Sequence, residues 1–495
     1  LLMAADAATS GTSLVSIENS AYIGGGSNLS KTFGSAPTDG QKWTLSTWVN
    51  PCTTSNSSYN YILSVTQTAG WPSSVAFTPT NQLYYGGTQG SSYTGGYFAT
   101  TPLFRDTNAW YHVCLIFDST LAAAADRIQL WVNGVRITFA AGIDPPLNGA
   151  SNIGINGYSH IYGLYYNAVR TLNSYLSELY FVDGTALTAE SFGVFDTTGL
   201  YWTPLAPTTI TESISEFGTN GHYFAFTNSS DVGEDFSGKN NDFTNNSSVT
   251  TKTHTPTNIE ALWSALDPMG VTLSNGNQTV TKSATNDYIY NTLAIPPNSG
   301  GWYWEYHLSA NPGSGNEYQM GMALAGTDGD NMTTEANVWG IYADGNIYAC
   351  YDGSNTDTTK DSTDGSDIFN FCYDSDGGKL YMGFYDDSVT TQYWFDGTYT
   401  GTTGDPAAGT DPTATLSASQ QAKPVFPIAG FGTGTVSMTP DLGQNGWTLT
   451  PPTGFANALN TTNIASATTR TASDTNEHWN SLLYTGNGTA IGSGG

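Results

Sequence analysis

Residues 103–138 read LFRDTNAWYHVCLIFDSTLAAAADRIQLWVNGVRIT, and their period decides the fold. Trp110, His112, Leu115 and Phe117 fall in one run, and Ile128, Leu130, Val132 and Val135 in the next. Alternation filled with β-branched and aromatic side chains marks half-buried strands, so the stretch is a β-hairpin. Asn133-Gly134 tolerates positive φ and closes a tight turn before Val135. The alanines at 122–125 favour helix but are too few to stand alone, which makes them a loop.

Working outward, the same punctuation recurs. WTLSTWVNP (residues 43–51) alternates Leu45, Thr47 and Val49 with Thr44, Ser46 and Trp48. YILSVT, SSVAFTPTNQLYYGG, YFATTPLF, SNIGINGYSHIYGLYY and SYLSELYFVDGTAL follow, each bounded by Gly, Pro, Asn or Asp. Strand signals at such spacing, with no helical interruption, describe an antiparallel sandwich. A short helix over 188–193 with Thr188 as N-cap is expected near its close. Composition agrees: of 495 residues only 11% are charged, against 56 Gly and 30 Tyr, too few Glu, Lys and Arg to clothe exposed helices.

In its linked motifs (FRDTNAWYH, DRIQLWVNGVRIT, LSELYFVDGTALTAESFG) the chain resembles laminin-G-like jelly rolls of the concanavalin A type, in the form found in lectin-like domains of tailed-phage virion proteins. The segment EDFSGKNNDFTNN resembles one that follows those domains. Further on, Gly300 to Glu305 (GGWYWE), Met320 to Ala323 (MGMA) and the run FCYDSDGGKLYM resemble the SPRY fold, a second antiparallel sandwich used as a binding module. The resemblances imply an all-β chain of tandem antiparallel sandwiches. The expected organisation is an arm over 1–12, a concanavalin A-like jelly roll over 13–195, a β-rich connector with one or two strands over 196–260, a SPRY-like sandwich over 261–451, and an extension over 452–495 that resembles the start of a further domain.

The net charge of −28, from 41 acids and 13 bases, leaves no basic cluster for nucleic acid or an anionic membrane surface. No apolar run reaches the roughly 20 residues of a membrane helix. The first residues carry no basic n-region of a signal peptide, so an extracellular location implies release by lysis. Four cysteines are too few for a disulfide scaffold. They fall as Cys52 with Cys114 and Cys350 with Cys372, and are expected as free, buried thiols in a protein matured in a reducing cytoplasm.

A glycosidase needs two carboxylates about 5.5 Å apart or further, and no strand carries such an array; Glu305 stands alone beside Trp304. The scattered histidines offer no Ser-His or zinc spacing, and His112 is a sheet residue. Calcium is the one metal with support, from hard oxygens in loops: Asp328 and Asp330, the acids over 361–367, and Asp374 with Asp376. The binding signal lies in Tyr-dense, Gly-rich stretches: Tyr84, Tyr85, Tyr93 and Tyr97, then Tyr158, His160, Tyr162, Tyr165 and Tyr166. Sugar rings stack on such faces, although the same rings equally suit contacts between domains or subunits.

The expected function is therefore that of a non-enzymatic virion protein of a tailed phage, a tail-fibre or similar appendage that attaches to host-surface polysaccharide. It would be a homo-oligomer, with a trimer as the usual fibre arrangement, docked on other virion proteins. A capsid-decorating or baseplate protein without glycan binding, and a glycan-active enzyme of the same fold, are the alternatives.

Overall fold

The computed structural model describes residues 15–467 except 54–57, 67–71, 88–95, 166–169, 197–198, 266–269, 283–287, 313–314, 328–331, 363–364, 433 and 435. The described chain is all-β, with several antiparallel sheets. The strand pairing and turn of the 103–138 hairpin form as read, but the alanine run, read as a loop, holds a 3-10 turn at Ala124–Asp126. Strands Tyr111–Asp118 and Ile128–Val132 pair with Leu115 opposite Leu130. Val132 then meets Val135 across Asn133 (φ 49°) and Gly134 (φ 72°), the two positive-φ residues of a tight turn. A Cβ on Gly134 would lie 2.2 Å from the Trp202 ring, so glycine is needed there for space as well as for φ.

This hairpin is the flank of an 8-stranded sheet that continues through Lys42–Pro51, Ser174–Asp183, Ser20–Ile23 and Thr250–Lys252. A second 8-stranded sheet runs from Phe139–Ile143 to Thr244–Asn246, with Asn60–Thr66 and Ser159–Tyr162 near its middle. Between them lies one core containing Trp43, Leu45, Leu115, Phe117, Leu176 and Phe181. Fully burying each such side chain contributes about 1.5–3 kcal/mol.

The half-buried reading of the hairpin needs correction. Leu115 and Phe117 face the inner core, but Trp110, His112, Cys114 and Ile116 face the other way and are buried too. A third layer covers that face: the hairpin Gly193–Phe195 with Trp202–Pro204, then the helix Pro207–Ser213. Trp202, Ile210, Ile214 and Phe217 pack there against Trp48, Tyr180 and Val182. Over 188–193 the chain makes a 3-10 turn, Ala189–Ser191, and Thr188 gives it no side-chain cap.

Residues 196–260, read as a connector with one or two strands, hold four among the described residues. His222–Phe224 pairs with Ser174–Asp183, Thr244–Asn246 with Asn28–Thr32, and Thr250–Lys252 with Ser20–Ile23, while Trp202–Pro204 sits in the covering hairpin. The EDFSGKNNDF motif has an architectural task. Asp235 is buried and accepts from the backbone N–H of Tyr223, Ser237 and Asn241 at 2.8–2.9 Å, and Asn241 donates to the carbonyls of Thr219 and Gly221.

Beyond residue 262 a second sandwich pairs an 8-stranded sheet containing Gly301–Leu308, Ile368–Asp374 and Lys379–Asp386 with a 6-stranded one containing Tyr318–Leu324, Val338–Ala343 and Val425–Phe431. Its core gathers Trp304, Tyr306, Met320, Met322, Ile341, Phe371 and Leu459. A buried seam joins the sandwiches. The Tyr175 hydroxyl donates to the Gly276 carbonyl at 2.6 Å, and the Asn277 amide donates to the Cys52 carbonyl at 2.9 Å. All four cysteines are free and buried. Among the described residues no helix is long and apolar enough to cross a membrane.

Candidate functional site

The seam leaves a cavity of about 360 Å³ on one side of the molecule. Tyr22, Ser58, Tyr59, Asn60, Arg170 and Asn173 line it from the first sandwich; Leu273, Ser274 and Asn275 line it from the second. The Tyr22 hydroxyl donates to Asn173 at 3.0 Å, and burial, then the Cys52 thiol, push it up to about 12, so it stays a neutral donor and acceptor. Arg170 sits at the rim between two rings, 5.9 Å from the centre of Tyr59 and 5.4 Å from that of Tyr165, and donates to the Tyr61 hydroxyl at 3.5 Å. Tyr59 touches Tyr61 at 6.0 Å and Tyr84 edge-on at 5.5 Å.

Strand register explains the aromatic platform. Tyr61 lies opposite Ala76, which lies opposite Tyr84, so two rings flank a small residue on the outer face of the second sheet. Cation–π attraction to two tyrosine rings and the bond to Tyr61 hold the guanidinium in place. The assembly offers ring faces, amides and one fixed cation, the inventory needed to hold a hydroxyl-rich ligand, and an acidic one above others.

The predicted tyrosines divide. Tyr84 and Tyr165 belong to this cluster; Tyr97 is half-buried on its own strand, Tyr97–Thr100, and Tyr158 packs against the first core. Tyr93 and Tyr166 lie outside the described residues. Tyr85, His160 and Tyr162 are 1–2% exposed and cannot present a ring to a ligand. The stretch around them is a central strand, not a loop, and its alternation turns His160 and Tyr162 inward. Tyr162 donates to His222 at 2.8 Å, and His160 accepts from the Gly154 N–H at 2.8 Å. The period-2 placement of His160 and Tyr162 was the available signal. Tyr59, Tyr61 and Arg170 were missed because they come from segments far apart in sequence.

The metal expectations change in the same way. Asp328 and Asp330 lie outside the described residues. Asp374 caps its own turn, accepting from the N–H groups of Asp376 and Gly377 at 3.1 Å, and Asp376 accepts from Gly300 N–H at 3.1 Å. A cation there would have to displace those bonds. Among the described residues the carboxylates that converge, within 4.8 Å, are Asp367, Asp386 and Asp387. Asp367, from the anticipated acidic run, is already engaged by the Ser362 hydroxyl and Asp387 N–H.

Two catalytic look-alikes are structural. His112 and Ser46 do meet, at 2.9 Å, contrary to the sequence reading. Trp202 donates its indole N–H to His112 Nδ1 at 3.0 Å, so Nε2 carries the proton and donates to the Ser46 hydroxyl. The pair is buried, with no carboxylate partner among the described residues, and burial lowers the imidazole to about 3, so it is neutral. Glu305 is fully buried and held by the Tyr303 hydroxyl at 2.8 Å and by the N–H groups of Thr448 and Leu449 at 3.0 and 2.8 Å.

Residues 24–191 match the family model of the concanavalin A-like lectin/glucanases superfamily, of laminin G type, so the first sandwich is a jelly roll of that kind. Among solved structures, the SPRY domain of human HERC1 aligns over 34% of this chain and 91% of its own, with 13% identity and a TM-score of 0.23. A SAP-like pentraxin from Limulus polyphemus aligns over 35% and 80%, with 18% identity and a TM-score of 0.26. A Bacteroides ovatus protein described as a candidate carbohydrate binding protein aligns over 48% and 60%, with 19% identity and a TM-score of 0.33. No curated protein matches the chain.

Proposed function

We propose that this chain is a non-enzymatic adhesion subunit of a tailed-phage particle, part of a tail fibre or comparable appendage, that holds saccharides of a host surface. The observation that carries the glycan reading is the seam cavity, where Tyr59 and Arg170 stand beside Asn60 and Asn173. The superfamily's description names both lectins and glucanases. Among the described residues the cavity is lined by ring faces, amides and a guanidinium and not by carboxylates that could serve as acid or nucleophile, which supports the lectin side. The virion assignment rests on the linked motifs of residues 104–193 and of the EDFSGKNNDF segment, which resemble phage appendage proteins. One open site of this kind binds weakly, so the reading calls for several copies on one particle, as a homo-oligomer such as a trimer docked on other virion proteins. It needs no cofactor, and it implies synthesis in the host cytoplasm and release by lysis.

The test is a glycan array probed with the full chain and with Tyr59→Ala and Arg170→Ala, beside a cryo-EM map of the particle. The expected result is selective binding, strongest for acidic saccharides, reduced at least tenfold in each variant with unchanged thermal unfolding, and a seam that faces solvent. Variants that bind like the parent chain, or a seam buried against the particle, would overturn the proposal.

A further inference from the structure

The segment that joins the two sandwiches is bracketed by a lysine and a glutamine that touch. Lys252 closes the strand Thr250–Lys252 of the first sandwich, and Gln278 ends the turn before Thr279–Lys282 of the second. The Lys252 ammonium donates to the Gln278 side-chain carbonyl at 3.0 Å and to that of Asn445 at 3.4 Å. Gln278 is 1% exposed whereas Asn445 is open to solvent, so the shorter contact is also the drier one.

Its surroundings are not those of a surface lysine. Glu260 is 4% exposed; one of its oxygens takes the Thr253 hydroxyl, and the other has no hydrogen-bond partner among the described residues. The NH2 group of Gln278 is likewise buried with no partner among the described residues. Burial lowers the Lys252 ammonium, against the charges of Glu260 and Asp441, and raises Glu260 to about 7. Desolvation thus draws the two towards neutral amine and neutral acid, the forms that attack an amide carbon and protonate an amide nitrogen.

We infer that Lys252 and Gln278 join in an isopeptide bond that ties the first sandwich to the second. The Nζ lone pair attacks Gln278 Cδ, and the Cδ–Nε2 bond breaks once Nζ–Cδ has formed. Glu260 gives its proton to Nε2, which leaves as ammonia, and takes one from Nζ, so the acid is restored and no oxidant or cofactor enters. An amine already bonded to the carbonyl oxygen needs only a small side-chain rotation to reach the about 3–3.5 Å of a reacting pair. The bond would bridge positions 26 residues apart, so tension between the sandwiches would bypass residues 253–277. It is independent of the glycan reading of the seam cavity.

Intact-mass spectrometry of the denatured full chain tests it, followed by cleavage after glutamate, which parts residue 252 from residue 278 at Glu260. The chain is expected to weigh less than calculated by one ammonia, and the peptides holding Lys252 and Gln278 to emerge as one branched species. Lys252→Arg should show its full calculated mass, and Glu260→Gln should fold, by circular dichroism, yet remain largely unlinked by intact mass. The full calculated mass in the unaltered chain overturns the inference, as does an ammonia loss that maps to Asn445 or to an Asn-Gly succinimide. A Glu260→Gln chain linked as completely as the parent overturns the part given to the acid. Should either variant not fold, the digest of the unaltered chain decides.

Discussion

Glu178 is the group whose replacement tests the energetics most directly. It sits at positive φ (51°) where the register of Ser174–Asp183 against Lys42–Pro51 shifts, and it is 5% exposed. The hydroxyls of Tyr180 and Tyr223 donate to one of its oxygens at 2.5 and 2.9 Å. Those bonds favour the carboxylate, but burial outweighs them and raises the group from 4.5 to about 7. A folded-state value above the unfolded one means that its contribution to stability is fully present below pH 4.5 and is lost as pH rises towards 7. At about 1.4 kcal/mol per pH unit, the loss above pH 7 is about 3 kcal/mol. Glu178→Gln keeps an acceptor for both phenols and cannot ionise. The variant is therefore expected to match the parent chain near pH 4 and to exceed it by up to about 3 kcal/mol at pH 8. Urea unfolding of both proteins at half-unit steps from pH 4 to 8, followed by circular dichroism, reads the difference directly, and other titrating groups such as Glu260 cancel in it. A difference that stays constant with pH, or that grows towards acid, would refute the assignment of a neutral buried acid.

Glu305→Ala removes the acceptor for two backbone N–H groups and the Tyr303 hydroxyl, and should destabilise the second sandwich by about 2–5 kcal/mol, read as a lower urea midpoint. Because burial raises the thiols of Cys52, Cys114, Cys350 and Cys372, Ellman's reagent should find none of them in the folded protein and all four after denaturation. Prompt reaction of any one in the folded state would show that its stretch opens easily.

How much of this was legible in the chain depends on the range of the interaction. The hairpin over 103–138, its Asn133-Gly134 turn and the Asp374–Gly377 turn between paired strands are local, set by period and by φ, and they were readable from neighbours alone. Which face of a strand meets water is not local. Trp110 and His112 alternate as a solvent face would, yet a layer from residues 193–217 covers them. Binding residues follow the same division. Tyr84 could be picked out for its aromatic context, but Tyr85 beside it points into the core, and no composition rule separates the two. The amino-acid sequence alone determined the all-β class, the antiparallel pairing of consecutive strands and the free thiols, because period, turn residues and cysteine number act within a few residues. Only the tertiary structure decided that Tyr59, Tyr61, Tyr84, Tyr165 and Arg170 share one platform, and that the 273–275 turn completes its cavity. Those contacts join segments as much as 225 residues apart, and they exist only once two sandwiches have buried the seam that holds them together.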